Sequence, residues 1–347
     1  MNNVSIVLAG LGNVGRNVLR LLASQEQVLR SRHRVAVTVV AVSDSSGAAV
    51  DPKGLDVAAV IAAKEAGRGA ASLVGVGRPG LGGAALIEHT AADVLLEATP
   101  VNLQDGEPGV GTVRMALGRG MRCVLANKGP LALGYQDLAA RSDLTDPTRP
   151  ALRFSACVGG ALPTINLGWR DLAGARILAV EAMVNGTCHG ILRAMETGQT
   201  FEGALAEMQR RGIVEADPAL DVDGWDQAVK LVIIANAVLG RPTVLADLAV
   251  EGIRRVSPAD LAAAAGRGER LVLLGTATKP AGADDWRLAV GPVSLPLSHP
   301  LARMSGDESG VVYHTDVAGR LHATSEEVDA VPTAAAMIRD LIEVATR

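Results

Sequence analysis

An acidic stretch directly before an apolar, helix-like segment holds the residues best suited to chemistry. Five acids lie in this stretch, and they are Glu215, Asp217, Asp221, Asp223 and Asp226. Asp226 and Lys230 are spaced i and i+4, so a helix places them on one face, about one turn apart. A neighbouring carboxylate keeps an ammonium charged and burial favours its neutral form, so together they hold a lysine ready to donate a proton. Glu215 and Asp221 are suited to bind the ammonium group of an amino-acid substrate.

Two simpler interpretations of this stretch stay open. It could be an exposed acidic loop that caps a helix, with a surface ion pair that contributes under about 1 kcal/mol. It could also be a calcium-binding loop, although the spacing of the acids does not match the pattern of an EF-hand.

A second motif predicts a dinucleotide site. Gly10-Leu11-Gly12-Asn13-Val14-Gly15 has the form GxGxxG, and it follows the strand-like run Val4–Ala9 and precedes a helical pattern. Gly10 would allow the tight turn, Gly12 the close approach of a pyrophosphate, and Gly15 the packing of helix on strand. The diphosphate would then lie at the helix N-terminus, against Gly10, Gly12, Asn13, Val14 and Gly15.

The choice between NAD and NADP is left open by the residues. Asp44 ends a second strand-like run that begins at Val35. A carboxylate there would bind an adenosine ribose hydroxyl and favour NAD. Lys53 is near enough in sequence to serve the 2′-phosphate of NADP, and an Asp-Ser-Ser turn without a cofactor role is the third interpretation.

Two further polar segments follow strand-like runs. Thr99 comes after Val94–Glu97, and Asn127 and Lys128 come after Cys123–Ala126. Ligands of open α/β sheets bind outside the carboxyl ends of the strands, so Thr99 could contact the nicotinamide ribose and Lys128 a cofactor or carbonyl substrate. Only five of the 33 basic residues are lysines, which favours a role for Lys128 beyond surface charge.

The order of the elements predicts an α/β chain. Strand and helix patterns alternate in the first half, which is typical of a Rossmann-like, doubly wound parallel sheet. After about residue 150 this regular alternation of strand and helix patterns ends, and the pattern indicates a second, α+β domain. We predict a dinucleotide-binding domain at 1–150, a substrate-binding and catalytic domain at 151–305, and a C-terminal segment at 306–347 that returns to the first domain.

Composition excludes several classes of partner. The formal net charge of −4 provides no basic footprint for nucleic acid and no attraction to anionic membranes. The most apolar later run, 231–239, is too short to span a bilayer, and no signal-peptide pattern opens the chain. Cys123, Cys157 and Cys188 contain no CxxC pair, so we expect buried free thiols. These features predict a cytoplasmic protein with a small-molecule substrate.

Six motifs occur in the order found in homoserine dehydrogenases, and the chain resembles that family over nearly its whole length. The motifs are Gly10–Gly15, Glu97–Pro100, Ala126–Ala132, Val158–Pro163, Asn185–Thr187 and Glu215–Lys230. The last is the most specific, because Glu-x-Asp-Pro-x-x-Asp-x-x-Gly-x-Asp-x-x-x-Lys matches without a gap. The resemblance implies NAD- or NADP-dependent interconversion of aspartate 4-semialdehyde and homoserine, a step of threonine and methionine biosynthesis.

The resemblance also implies roles for individual residues. Lys230 would donate and accept the proton, Asp226 would bind substrate beside it, and Lys128 would lie near the nicotinamide and the substrate. Thr99 would contact the cofactor. The substrate contacts implied by the resemblance are Glu215, Asp221, Asp226, Gly186 and Thr187.

Three departures from the family pattern are expected to matter. Ser155 replaces a glutamate of a monovalent-cation site, although the carbonyls of Val158, Gly160 and Leu162 could still hold Na⁺ or K⁺. His189-Gly190 replaces an Asn-Tyr pair, and His189 is expected to be a loop or packing residue. Ser325–Pro332 replaces a glycine turn near the nicotinamide, so that loop would bind differently or not at all.

Quaternary structure and two rival functions complete the expectations. The resemblance implies a homodimer or homotetramer assembled through the middle domain, in a short form without the family's regulatory C-terminal domain. A related dehydrogenase of another small amino or hydroxy acid is the first alternative. A non-catalytic dinucleotide-binding sensor is the second, and the intact Asp226–Lys230 pair speaks against it.

Overall fold

A computed structural model of the chain describes residues 1–144, 151–210, 217–280, 282–283 and 285–346. The chain forms two compact units. The first comprises Met1–Ala161 and Asp329–Arg347, and the second comprises Leu162–Val328. The domain boundaries predicted at residues 150 and 305 separate segments by their expected function, and that division stays a prediction.

The described residues contain thirteen strands and thirteen α-helices, besides five short 3₁₀ or π helices. The strands are β1 (Asn2–Ala9), β2 (Val35–Asp44), β3 (Gly47–Val50), β4 (Gly77–Pro79), β5 (Val94–Glu97), β6 (Arg122–Leu125), β7 (Leu152–Arg153), β8 (Ile177–Met183), β9 (Ala249–Val250), β10 (Glu269–Thr278), β11 (Arg287–Pro296), β12 (Glu308–Thr315) and β13 (Arg320–Glu326). The helices are α1 (Asn13–Ser24), α2 (Glu26–Arg32), α3 (Val57–Glu65), α4 (Gly83–Glu88), α5 (Gly109–Gly118), α6 (Gly129–Ser142), α7 (Thr164–Asn166), α8 (Gly186–Glu196), α9 (Phe201–Arg210), α10 (Ala219–Val222), α11 (Trp225–Ala237), α12 (Pro258–Gly266) and α13 (Val331–Thr346).

The first unit is built on a seven-stranded sheet in the order β4-β3-β2-β1-β5-β6-β7. Strands β2, β1, β5, β6 and β7 are parallel, and β3 and β4 add an antiparallel edge to β2. The predicted doubly wound sheet is therefore confirmed. The strand order reverses between β1 and β5, and such a switch point is where open α/β sheets bind their ligands.

Helices α1 and α13 pack against each other in the first unit, and α13 also packs on β1, β2, β6 and β7. In α1 the buried residues Gly15, Val18, Leu19 and Leu22 follow the i, i+3, i+4, i+7 spacing of one helical face. The core between helices and sheet is made of aliphatic side chains, including the fully buried Ile6 and Leu341.

One predicted helix is two in the structure. The sequence pattern indicates a single helix from Asn13 to about Arg30, but Gln25 leaves the helical region at φ −105° and ψ 11°. Neither glycine nor proline marks this break, so the pattern of apolar residues could not reveal it. The long helix predicted to reach Gly240 ends at Ala237.

The second unit is built on a six-stranded sheet in the order β13-β12-β8-β10-β11-β9. Its neighbours are antiparallel except for β9 and β11, which are parallel. Helices α8, α11 and α12 pack against β10. Directly after β8, Val184 is bonded to Gln227 and Lys230 of α11.

The cysteines are as predicted, because Cys123, Cys157 and Cys188 are all free and buried. Burial raises the pKa of each thiol above its ordinary value. No helix in the part of the chain that the structure describes has the length and apolar character needed to cross a membrane.

Candidate active site

The glycine turn joins β1 to α1 at the switch point of the first sheet. Gly10 has φ +97°, and a Cβ there would lie 2.3 Å from the Ala98 carbonyl oxygen. A Cβ on Gly15 would lie 1.9 Å from the Gly10 carbonyl oxygen. Both positions therefore exclude any side chain, for the reasons of turn and close packing that the motif predicts.

Open space lies beside Gly12. A Cβ there would meet no heavy atom within 4 Å. Gly12 is also the N-cap of α1, and no side chain caps that helix. Uncapped N–H groups and the positive end of the helix dipole suit an anion such as a diphosphate. The turn therefore fits a dinucleotide.

Asp44, at the end of β2, is bonded to its own unit through both carboxylate oxygens. Oδ1 accepts from the backbone N and the Oγ of Ser46, at 2.9 and 2.6 Å. Oδ2 accepts from Lys64 Nζ at 2.6 Å and from the Ala70 backbone N at 3.1 Å. Burial alone would raise the pKa of Asp44, but these bonds outweigh it and the pKa lies below its ordinary value. The lysine that contacts Asp44 is Lys64, and a role of Lys53 at a 2′-phosphate stays a prediction.

Thr99 and Asn127 are brought together at the carboxyl ends of β5 and β6. Asn127 Nδ2 donates to Thr99 Oγ1 at 3.0 Å, and the Gly129 backbone N donates to Asn127 Oδ1 at 2.9 Å. Lys128 lies between Asn127 and Gly129 in the sequence, immediately before α6, and its side chain is half-buried. The structure thus gathers the two strand ends that the sequence singled out.

Glu97 organises this edge, and the sequence motif assigned it no role. It is fully buried, and its Oε1 accepts from the Thr99 backbone N at 3.0 Å, from Thr99 Oγ1, and from Asn127 Nδ2 at 3.4 Å. Its Oε2 has no hydrogen-bond partner within the described segments. Burial raises the pKa of Glu97, in spite of the bonds from Thr99 and Asn127 that act in the opposite direction.

In the second unit, Lys230 and Asp226 form a buried pair on α11. Lys230 Nζ lies 2.7 Å from Asp226 Oδ2, and the two side chains are 13% and 8% exposed. Lys230 Nζ also donates to the Val184 carbonyl oxygen at the end of β8. This burial distinguishes the pair from an ordinary surface ion pair, which was one of the open interpretations.

Asn185 connects the Lys230 pair to a second acid. Its Nδ2 donates to Asp221 Oδ1 at 2.9 Å and to Asp226 Oδ2 at 3.1 Å. Its Oδ1 accepts from the Cys188 backbone N at 2.8 Å and so caps α8. Asn185 belongs to a motif of the sequence but had no predicted role, because only the fold brings it between the two carboxylates.

The remaining predicted site residues of the second unit have other contacts and other degrees of burial. Asp223 pairs with Arg254, and Asp217 accepts from the Ala219 backbone N. Gly186 is exposed and Thr187 is buried, both in the first turn of α8. Glu215 lies outside the described residues.

His189 is a packing residue in α8, as expected, although it lies in a helix and not a loop. It is buried, and burial lowers its pKa to about 4, with the Arg193 charge adding to the effect. The ring is therefore neutral near pH 7.

Ser155 is buried within the first unit and is bonded to α13. Asp340 accepts from the Ser155 backbone N and from its Oγ, both at 2.7 Å. The serine that replaces the expected glutamate thus lies beside another carboxyl group, which comes from the far end of the chain. No group of three or more His, Cys, Asp or Glu side chains that could hold a metal ion occurs in the described ranges.

The segment Ser325–Pro332 connects β13 to α13. It covers the end of β13 and the first residues of α13, and Asp329 accepts from the Val331 backbone N at 2.8 Å. No glycine occurs in it.

A glycine turn at the switch point of a parallel sheet, with a buried lysine–carboxylate pair in a second unit, defines the class as a dinucleotide-dependent oxidoreductase. A family model described as "Homoserine dehydrogenase" matches residues 163–342. Another, described as "Glutamate/Leucine/Phenylalanine/Valine dehydrogenase", matches residues 1–99. The chain belongs to the homoserine dehydrogenase family.

Individual relatives agree with this assignment over their full length. A homoserine dehydrogenase of Methanocaldococcus jannaschii is 34% identical over 342 residues, which cover 98% of each chain. An NAD(+)-dependent homoserine dehydrogenase of Pseudomonas canavaninivorans is 33% identical, covering 99% of this chain and 97% of the relative. The crystal structure of a putative homoserine dehydrogenase from Archaeoglobus fulgidus is 30% identical with a TM-score of 0.85, covering 98% of this chain and 99% of that one. The protein is thus an NAD(P)-dependent oxidoreductase that acts on a CH–OH group.

Proposed function

We propose that this chain interconverts L-aspartate 4-semialdehyde and L-homoserine, with Lys230 as the proton donor and acceptor. The observation that carries the proposal is the buried Lys230–Asp226 pair, with Asn185 and Asp221 bonded to it. A buried ammonium beside a carboxylate can both stabilise a developing alkoxide and protonate it. The names of the relatives support the choice of substrate.

In this proposal the site residues of the second unit bind the substrate or transfer the proton. Lys230 Nζ would donate a proton to the aldehyde oxygen during reduction and take it back during oxidation. Asp226 would hold that ammonium in place through their ion pair. The substrate carries its own ammonium group, and we assign its binding to Asp221 and Glu215. Gly186 and Thr187 would be further substrate contacts.

The first unit would hold the dinucleotide. The open space at Gly12 and the uncapped N-terminus of α1 support binding of the diphosphate there, against Gly10, Asn13, Val14 and Gly15. When bound, the nicotinamide supplies or accepts the hydride. Thr99 would contact the cofactor and Lys128 the cofactor and substrate, from the strand ends that Glu97 holds together. We propose that Asp44 shapes the adenosine site through its bonds to Lys64 and Ser46.

A monovalent cation and self-association are the remaining parts of the proposal. The carbonyls of Val158, Gly160 and Leu162 would hold Na⁺ or K⁺, while Ser155, which replaces the expected glutamate, is bonded to Asp340. A cation there would supply positive charge that orders the loop.

We also propose that the protein is a homodimer or homotetramer. Light scattering on the purified protein would measure its oligomeric state.

The decisive experiment follows oxidation of NADH and of NADPH by aspartate 4-semialdehyde, in NaCl, KCl or tetramethylammonium chloride of equal ionic strength. We expect turnover in the wild type and a loss of about a hundred- to ten-thousand-fold in kcat for Lys230→Ala, the range of general acid–base catalysis. Lys279→Ala is the matched control, because Lys279 is exposed. Wild-type kcat in Lys230→Ala would refute the role of Lys230. Cofactor binding without turnover in the wild type would indicate a sensor or another substrate.

A further inference from the structure

Gln227 connects the lysine-bearing helix α11 to the end of β8. Its side chain is fully buried, between Asp226 and Lys230 in sequence. Gln227 Nε2 donates to the Ala182 carbonyl oxygen at 2.6 Å, and Oε1 accepts from the Val184 backbone N at 3.0 Å. One amide thus binds a C=O and an N–H two residues apart, the same pair that a neighbouring parallel strand would bind.

The surrounding structure makes room for this amide. Gly275 on β10 is paired with Ala182, and a Cβ at Gly275 would lie 2.7 Å from Gln227 Nε2. Such a contact is too close for any side chain to be accommodated without movement. Gly275 and Gln227 are therefore complementary, and the end of β8 is held by α11 at two points.

The residue whose N–H binds Gln227 also supplies an acceptor to Lys230. Val184 binds Gln227 through its N–H, and its carbonyl oxygen accepts from Lys230 Nζ. Within the described part of the chain the Lys230 ammonium has two acceptors, the Val184 carbonyl and Asp226. Because an ammonium is tetrahedral with three N–H groups, fixing two of them also fixes the direction of the third.

We propose that Gln227 is a positioning residue that aims the third N–H of Lys230 at the substrate oxygen by holding the backbone of Val184 in place. This inference rests on the proposed role of Lys230 as proton donor. It goes beyond that role because Gln227 is fully buried, its amide is bonded to the backbone of Ala182 and Val184, and it would act only through Val184. A displacement of about 1 Å at a catalytic group can cost up to about a hundredfold in rate, so loss of the amide should reduce kcat.

The test compares two variants with a matched control in the same helix. Gln227→Met keeps the length without the polar atoms, and Gln227→Asn keeps the amide but is one methylene too short to reach both partners. The control is Asn236→Met. Asn236 is also buried on α11, and it binds both the carbonyl oxygen and the N–H of Thr243, at 2.8 and 3.1 Å.

We expect both Gln227 variants to lose about tenfold or more in kcat, with KM for aspartate 4-semialdehyde changed less than about threefold. Asn236→Met should lose a similar amount of thermal stability and keep its kcat. Amide hydrogen exchange at Val184 should be faster in both Gln227 variants and unchanged in the control. The inference is overturned if kcat of the Gln227 variants equals that of the control, since Gln227 would then serve stability alone.

The outcomes separate this inference from the proposed function. A wild type that does not reduce aspartate 4-semialdehyde contradicts the proposed function, whatever Val184 exchange shows. An active wild type with an inactive Lys230→Ala and fully active Gln227 variants contradicts only the role of Gln227. Should Gln227→Met fail to fold, Gln227→Asn, with its smaller and polar side chain, decides the question.

Discussion

Asp340 places a carboxyl group in the interior of the first unit, and the stability of the protein should depend on the charge of that group. The side chain is fully buried on α13 and accepts from the backbone N and the Oγ of Ser155. Burial raises its pKa to about 6, from an ordinary value of 3.8, although the Ser155 bonds and the Arg339 charge act in the opposite direction. The folded protein therefore holds this proton over a pH range where the unfolded chain has released it.

The sign and size of the effect follow from linkage. Because the folded state binds more protons between about pH 4 and pH 6, the free energy of unfolding falls as pH rises through this window. A difference of about two pKa units corresponds to about 3 kcal/mol at 1.36 kcal/mol per unit. The contribution of Asp340 is fully present below about pH 4 and is lost above about pH 6.

The variant Asp340→Asn isolates this contribution. Its amide can still accept from the Ser155 backbone N and donate to Ser155 Oγ, but it cannot ionise. We expect the difference in unfolding free energy, variant minus wild type, to increase by about 2.4 kcal/mol between pH 4 and pH 7. Urea titrations at several pH values would measure it. Glu97, whose pKa is also raised, is present in both proteins, so its contribution cancels.

A difference that does not change between pH 4 and pH 7 would refute the reasoning, because it would mean that Asp340 ionises in the folded protein as it does in the unfolded chain. A difference that decreases with pH would reverse the sign and indicate that the carboxylate is the favoured form. The bonds from Ser155 and the charge of Arg339 would then outweigh the burial.

Two further predictions concern the first unit and the thiols. Gly15→Ala should abolish dinucleotide binding in a fluorescence titration, because its Cβ would lie 1.9 Å from the Gly10 carbonyl oxygen, whereas Gly118→Ala, with open space beside it, should bind normally. Equal affinity in both variants would show that the turn tolerates a side chain. The three cysteines should not react with a disulfide reagent in the native protein at neutral pH, and all should react in denaturant, because burial raises their pKa values. Fast reaction of even one native thiol contradicts this account of their burial.

Local chemistry explains why part of the site could be predicted from the sequence. The GxGxxG turn, the strand ends at Thr99 and Lys128, and the i, i+4 spacing of Asp226 and Lys230 all depend on residues close in the chain. Over such distances the helical repeat and the conformational freedom of glycine determine the geometry. The parallel sheet was predictable for a similar reason, since short apolar runs alternate with helical patterns.

Contacts between residues far apart in the chain were decided only by the tertiary structure. Asp44 binds Lys64 and not Lys53, Gln227 binds the end of β8, and Asp340 binds Ser155. Each of these side chains has a polar group that burial would penalise unless it found a partner, and many partners of the right type exist along the chain.

The sequence by itself therefore determined the class of fold, the dinucleotide turn and the lysine–carboxylate pair, because short-range spacing is enough to define them. The tertiary structure alone decided that the pair is buried, that Val184 and Asn185 are bonded to it, and that Gln227 is bonded to the end of β8. The physical reason is that burial and hydrogen-bond partnership depend on which distant segments the packing of the sheets and helices brings into contact.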